Sequence, residues 1–244
     1  MEIVIGFIVV FCAGLVQGLT GFGLAMVAVP FFVTIFPLKE TVPIIIALSV
    51  CMAVFMLCNC VKYARIKKIW TLILASAIFA PIGAYLLLFI NPNYLKLSFG
   101  IVIIAFSILL ICNKSFPIKN EKLGYAVAGS LGGLLNGSIS LGGPPVVLFL
   151  SNQGVDKDIF RANITVYFTV LNIVTLGTLL VNGIMNTMVI ERALRFLPGM
   201  LIGLFTGMKL STKLDERIFK RITLIILIIS GVWMIINTLG SGLR

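Results

Sequence analysis

Two glycine-rich clusters hold the residues of this chain best suited to gripping a small ion. The first offers Gln17, Thr20, Gly21, Phe22 and Gly23, and the second Asn136, Ser138, Ser140, Gly142 and Gly143. Carboxamides and hydroxyls supply side-chain donors, and glycine lets a ligand approach the backbone closely. A helix starting just after such a cluster exposes N–H groups without intrahelical partners, at the positive end of the helix dipole, an arrangement that suits an anion. The same small residues also permit close helix packing, so packing competes with binding as an explanation of each cluster.

The clusters are related. Ala13-Gly-Leu-Val-Gln17-Gly18-Leu-Thr20-Gly21-Phe22-Gly23 and Gly132-Gly-Leu-Leu-Asn136-Gly137-Ser-Ile-Ser140-Leu-Gly142 lie 119 positions apart, which reads as an internal duplication. The loops around Arg65 and Ile184 and the small-residue patches at Pro81-Ile-Gly83 and Pro198 to Gly203 correspond at about the same offset. The expected organisation is one membrane domain made of two repeats, residues 1–115 and 116–244.

The elements that must position these clusters lie in a bilayer. The 244 residues are 60% hydrophobic and only 11% charged, with a mean hydropathy of +1.16, far from a soluble globule. Apolar runs cover Ile3 to Pro37, Val42 to Val61, Ile69 to Ile90, Leu95 to Cys112, Leu123 to Ser151, Ile164 to Val181, Met188 to Met208 and Ile222 to Leu239. Most approach the roughly 20 residues of a spanning helix. The start of the chain lacks a basic region and a convincing cleavage site, so a cleaved signal peptide is not expected. The net charge of +11 sits in short loops, where Lys and Arg act as topology signals rather than as a nucleic-acid surface.

The first and fifth runs are too long. As one helix, Ile3 to Pro37 would measure roughly 50 Å against a hydrocarbon core of about 30 Å. Breaks are expected at Gly18–Gly23 and at Gly137–Pro145, where Gly142-Gly143-Pro144-Pro145 ends one helix and starts another. Each break would leave pieces of roughly 10 to 16 residues, suited to a re-entrant hairpin. Each repeat then has one hairpin and three spans, and the second repeat is inverted. Lys62, Arg65, Lys67, Lys68, Lys114, Lys119 and Lys122 fall inside on either topology. Only hairpins also put Lys209, Lys213, Arg217, Lys220 and Arg221 inside, with both termini outside. In this topology the two breaks meet near the midplane, as in inverted-repeat transporters.

The sixth run is the most polar span. Asn172 near its middle should face the bundle interior, either on a solvated path or in an interhelical hydrogen bond. Arg161 at its start either attracts an anion or anchors the helix end by snorkelling. No Asp, Glu, Lys, Arg or His lies near the middle of any span, so coupling through a buried carboxylate is not expected. An anion leaving a cell that is negative inside is driven outward by about 2.3 kcal/mol per charge per 100 mV.

Five cysteines, Cys12, Cys51, Cys58, Cys60 and Cys112, lie in or beside apolar runs and behave as small hydrophobes. Cys58-Asn59-Cys60 is a weak soft-metal motif without a His to complete it. No catalytic residue, metal or cofactor is expected.

In Gly14-x-x-Gln17-Gly18-x-x-Gly21-Phe22-Gly23, in Gly132-Gly-Leu-Leu-Asn-Gly137 with Gly142-Gly-Pro-Pro145, and in Arg161-Ala-Asn, the chain resembles the TauE/SafE sulfite exporter family over nearly its whole length. Asp156 to Arg161 shares that look. The resemblance implies a permease for sulfite, sulfonates such as sulfoacetate, or related sulfur oxyanions, commonly as export. Ser138-Ile-Ser140 departs from the more glycine-rich pattern of many members, which bears on the choice of substrate.

The expectation is an all-α polytopic permease of the cell membrane, with a midplane anion site bounded by both breaks plus Arg161 and Asn172. It works by alternating access, with a small anion and the lipid bilayer as partners and no nucleic acid. Self-association into a homo-oligomer stays open. The alternatives are an anion channel of the same architecture and a membrane sulfur-relay protein using Cys58 and Cys60.

Overall fold

The computed structural model describes residues 2–112, 120–154, 156–211, 228–229, 231–236 and 238–240. Lys114, Lys119 and the charges from Lys213 to Arg221, used above for topology, lie outside them. The described elements are helical: α1 Glu2–Thr20, α2 Leu24–Ile35, α3 Leu38–Cys60, α4 Ile66–Phe89, α5 Pro92–Cys112, α6 Glu121–Ile139, α7 Gly143–Ser151, α8 Lys157–Val181 and α9 Thr187–Leu210.

Among the described residues, five segments are long and apolar enough to cross a membrane: Ile3–Thr20, Leu38–Cys58, Ile66–Phe89, Pro92–Leu109 and Asp158–Val181. The chain is an all-α polytopic membrane protein. On α4, Trp70, Leu74, Ile78, Ile82, Tyr85 and Phe89 are exposed along one face, at the spacing of a helix that meets lipid there and protein on its other side.

Both overlong runs break inside the expected segments, Gly18–Gly23 and Gly137–Pro145, but into unequal pieces. α1 keeps 19 residues, about 28 Å, and ends at Gly21 (φ 87°) and Gly23 (φ 116°) before a 12-residue α2. α6 keeps 19 residues and ends at Ser140 (φ 59°) before a 9-residue α7. The pieces are therefore 19 and 12, and 19 and 9, rather than 10 to 16 each, because Gly14, Gly18, Gly133 and Gly137 do not interrupt their helices. They serve packing, which outweighs their poor helix propensity.

That packing is reciprocal. A Cβ on Gly14 or Gly18 would strike the backbone of Met200 or Leu204 on α9, and one on Gly203 or Gly207 would strike Phe11 or Leu15 on α1. On the other pair, Gly129, Gly133 and Gly137 of α6 press on the carbonyls of Leu72, Ser76 and Ala80 of α4. Contacts advance in the same direction on both helices of each pair, so α1 runs parallel to α9 and α6 parallel to α4. Residue numbers 119 apart match these elements: α1 and α6 start at Glu2 and Glu121 and end at Thr20 and Ile139, and α2 and α7 start at Leu24 and Gly143. The first helix of each half thus packs on the fourth helix of the other. Between the two pairs, α3 lies along α8.

Three contacts bear on chain direction. Phe196 of α9 meets Gly6 near the start of α1 and also Phe32 and Phe36 toward the end of α2. Tyr125 near the start of α6 packs edge-on against Phe149 near the end of α7, with ring centroids 4.6 Å apart. Lys68 at the start of α4 pairs with Glu121 at the start of α6 at 2.9 Å.

Candidate functional site

Each break is a turn stabilised by its own side chains. Thr20 Oγ1 accepts from the Phe22 N–H at 3.1 Å and bonds the Val16 carbonyl at 2.9 Å, with the Phe22 carbonyl a further close partner. Gln17 spans the break: its Oε1 accepts from Leu24 N–H at 2.9 Å and its Nε2 donates to Gly21 O at 3.2 Å. A carboxamide from the end of α1 thereby caps the start of α2.

At the second break Ser140 N–H bonds Asn136 O at 2.9 Å and Leu141 N–H bonds Leu135 O at 3.1 Å, a Schellman-type ending with Ser140 in the left-handed conformation. Asn136, 119 positions after Gln17, bonds away from its own break. Its Nδ2 donates to Asn172 Oδ1 at 3.1 Å and Thr175 Oγ1 at 3.0 Å on α8.

The two breaks border one cavity of about 30 Å3, room for about two water molecules. The first break contributes Gln17 and Gly23 to Met26, the second Asn136, Ser140, Leu141 and Gly143; α3 adds Ser49 and Ala53, and α8 adds Phe168 and Asn172. Four pairs among these positions are 119 apart: Gln17 with Asn136, Leu24 with Gly143, Ser49 with Phe168, and Ala53 with Asn172. Ser49 and Phe168 were not singled out above. The 119-residue offset, applied to Asn172, is the signal that points to Ala53.

Of the residues expected at a binding site, Gln17, Gly23, Asn136, Ser140, Gly143 and Asn172 line this cavity. Thr20, Gly21, Phe22, Ser138, Gly142 and Arg161 do not. Phe22 packs edge-on against Phe106 of α5, Ser138 Oγ bonds back to Leu134 O at 2.8 Å, and Gly142 fits against Asn136 and Leu171. Asn172 faces the interior, 4% exposed, and makes the interhelical bond as well as lining the cavity.

Arg161 reaches the other half of the molecule. Its Nη2 donates to Gly18 O at 3.0 Å, with Nη1 3.5 Å from Ser211 Oγ, placing a cation at the negative end of the α1 dipole. Two residues on, Asn163 Oδ1 accepts from Arg65 N–H at 2.8 Å before α4. Arg161-Ala162-Asn163 is a staple that joins the start of α8 to the end of α1 and the start of α4, a role that no local sequence signal indicates.

The electrostatics of the cavity are unequal. None of its lining side chains is ionisable. Carbonyls at the ends of α1 and α6 are occupied: those of Val16, Gln17, Gly18 and Gly21, and those of Leu135 and Asn136. Among the lining residues, the N–H groups of Gly23, Ala25, Met26 and Gly143 have no acceptor among the described residues. N–H donors without acceptors at the starts of α2 and α7 favour a negatively charged or strongly accepting ligand.

Cys58 is exposed on α3 and Cys60 Sγ bonds Met56 O at 3.2 Å; neither lines the cavity. Among the described residues no group of three or more His, Cys, Asp or Glu is placed to hold a metal.

No curated protein and no solved structure matches the chain. Residues 6–234 match the family described as Sulfite exporter TauE/SafE, and the chain belongs to that family of multi-pass membrane transporters.

Proposed function

We propose that this protein carries a small sulfur-containing anion, of the sulfite or organosulfonate class, out of the cell by alternating access. In this reading residues 1–115 and 116–244 are inverted repeats, each opening with a re-entrant hairpin, and the anion binds between them near the midplane.

The observation that carries the proposal is that Gly23, Ala25 and Met26 at the start of α2 and Gly143 at the start of α7 line one cavity with backbone N–H groups that have no acceptor among the described residues. Fixed dipoles of this kind hold an anion without a buried countercharge. The name of the family narrows the anion to sulfur oxyanions.

The inverted arrangement draws support from direction. The shared contact of Gly6, Phe32 and Phe36 with Phe196 favours a first hairpin that returns to the end where it began. Tyr125 on Phe149 favours the same for the second. The Lys68–Glu121, Arg65–Asn163 and Arg161–Ser211 contacts gather the 62–68 loop and the beginnings of α6 and α8 with the end of α9. These basic segments then share one side, as the positive-inside rule expects. The cavity of about 30 Å3 fits a constricted state, and rocking of one repeat against the other would widen it toward either side.

Counterflow in proteoliposomes tests this reading. Purified protein should accelerate exchange of labelled sulfite into vesicles preloaded with unlabelled sulfite, with saturation. Sulfite permeation without saturable counterflow would indicate a channel, and no sulfite or sulfonate movement would overturn the assignment.

A further inference from the structure

The polarity of one side-chain amide can be worked out from its neighbours. Thr175 Oγ1 donates its single proton to Leu171 O, one turn earlier on α8, at 2.8 Å. With that proton committed, the hydroxyl can only accept, and the donor it meets is Asn136 Nδ2 at 3.0 Å. The second proton of the same Nδ2 goes to Asn172 Oδ1 at 3.1 Å. Asn172 therefore commits its oxygen to Asn136, and its own Nδ2 lies on the opposite side of the amide.

Asn172 lines the cavity, and its Nδ2 has no acceptor among the described residues. The corresponding positions of the first half, Ala53 for Asn172 and Met56 for Thr175, carry no hydrogen-bonding amide or hydroxyl. At these two positions the halves differ, the second carrying hydrogen-bonding side chains and the first none, even though backbone donors of the cavity come from both.

We propose that Asn172 Nδ2 is the side-chain donor that selects an oxyanion in this cavity, and that Thr175 is a positioning residue, acting through Asn136 to keep the amide nitrogen of Asn172 turned toward the substrate. The inference rests on the anion-site reading above and adds which side of the cavity grips the anion: the α8 side. Binding there requires no proton transfer and no charged side chain, because an amide N–H is a donor at every pH the protein withstands.

The test is equilibrium binding of sulfite to purified full-length protein in detergent, with melting of the ligand-free protein measured in parallel. Asn172→Asp keeps an acceptor for Asn136 but replaces the cavity-side donor with a carboxylate oxygen, so the sulfite Kd should rise about 100-fold or more. Thr175→Val removes the acceptor that orients Asn136, and the Kd should rise about tenfold, while Thr175→Ser restores the wild-type value.

A merely structural Thr175 would shift melting in the Val variant without this loss and rescue of affinity. Wild-type affinity in Asn172→Asp, or in Thr175→Val, overturns the proposal. Should Asn172→Asp fail to fold, the Val and Ser pair at 175 decides it. If the wild-type protein binds neither sulfite nor a sulfonate, the anion-site reading itself falls, a different result from loss of discrimination among variants.

Discussion

The two breaks end α1 and α6 at matching positions by different means. The first is self-contained: Gln17 closes over Gly21 and Leu24, Thr20 closes over Phe22, and two glycines supply the positive φ values. The second depends on its neighbours. A serine occupies the left-handed position, two prolines follow, and the carboxamide of Asn136 bonds to α8. Segments 119 positions apart thus end their helices at matching positions with different side chains and, at Gly23 and Gly142, different backbone angles, one break holding its own shape and the other coupled to the helix beyond it. A movement of α8 should disturb the second break more than the first. Arg161 is the complement, since it extends from α8 to the otherwise independent first break.

The largest effect should come where the breaks are alike. Gly18→Leu and Gly137→Leu each drive a side chain into a neighbouring helix backbone, costing about 3 kcal/mol or more. Both variants should lose the monodisperse peak in gel filtration, and a well-behaved Gly137→Leu protein would refute the reciprocal packing.

Arg161→Ala should separate the breaks. It removes a charged donor from Gly18 O, worth about 1.5–3 kcal/mol, and calorimetry or a thermal melt should register that loss while the bonds of Asn136 to α8 persist.

The carboxamides sharpen the contrast. Gln17→Leu leaves Leu24 N–H and Gly21 O without their partner, which should lower stability by about 1–2 kcal/mol. Asn136→Ala frees Asn172 to turn, so its main effect should be a loss of sulfite affinity in a binding titration. Equal effects on both quantities would mean that the two residues have not diverged.

The smallest difference concerns the turn residues. Ser140 sits at φ 59° and its hydroxyl makes only a long 3.4 Å bond to Val42 O. Ser140→Gly should therefore stabilise by up to about 1 kcal/mol, whereas Gly21→Ser should destabilise by a similar amount. Chemical denaturation of the two variants gives the signs directly.

Much of this comparison was legible in the sequence. The apolar runs, the existence of both breaks, the 119-residue offset and the inward face of Asn172 followed from composition and spacing. The glycines were harder because one residue type does two jobs. Gly14, Gly18, Gly133 and Gly137 recur every four positions and serve helix contacts, while Gly21 and Gly23 supply backbone angles. Spacing separates these uses only when the partner helix is known, and the parallel pairing of α1 with α9 joins segments almost the whole chain apart. The Arg161 staple and the Asn136–Asn172 bond likewise join residues distant in sequence, for which one chain carries no local signal.

Ligand-dependent thermal stabilisation of the purified protein tests the central claim, that both breaks form one anion cavity, most directly. Sulfite at about 100 times its Kd should stabilise the protein by about 2.7 kcal/mol. The shift should be shared by organosulfonates and lost when Gly143→Val fills the space beside Met26 and Phe168. Stabilisation by a cation or a neutral metabolite, with none from any sulfur oxyanion, would contradict the account.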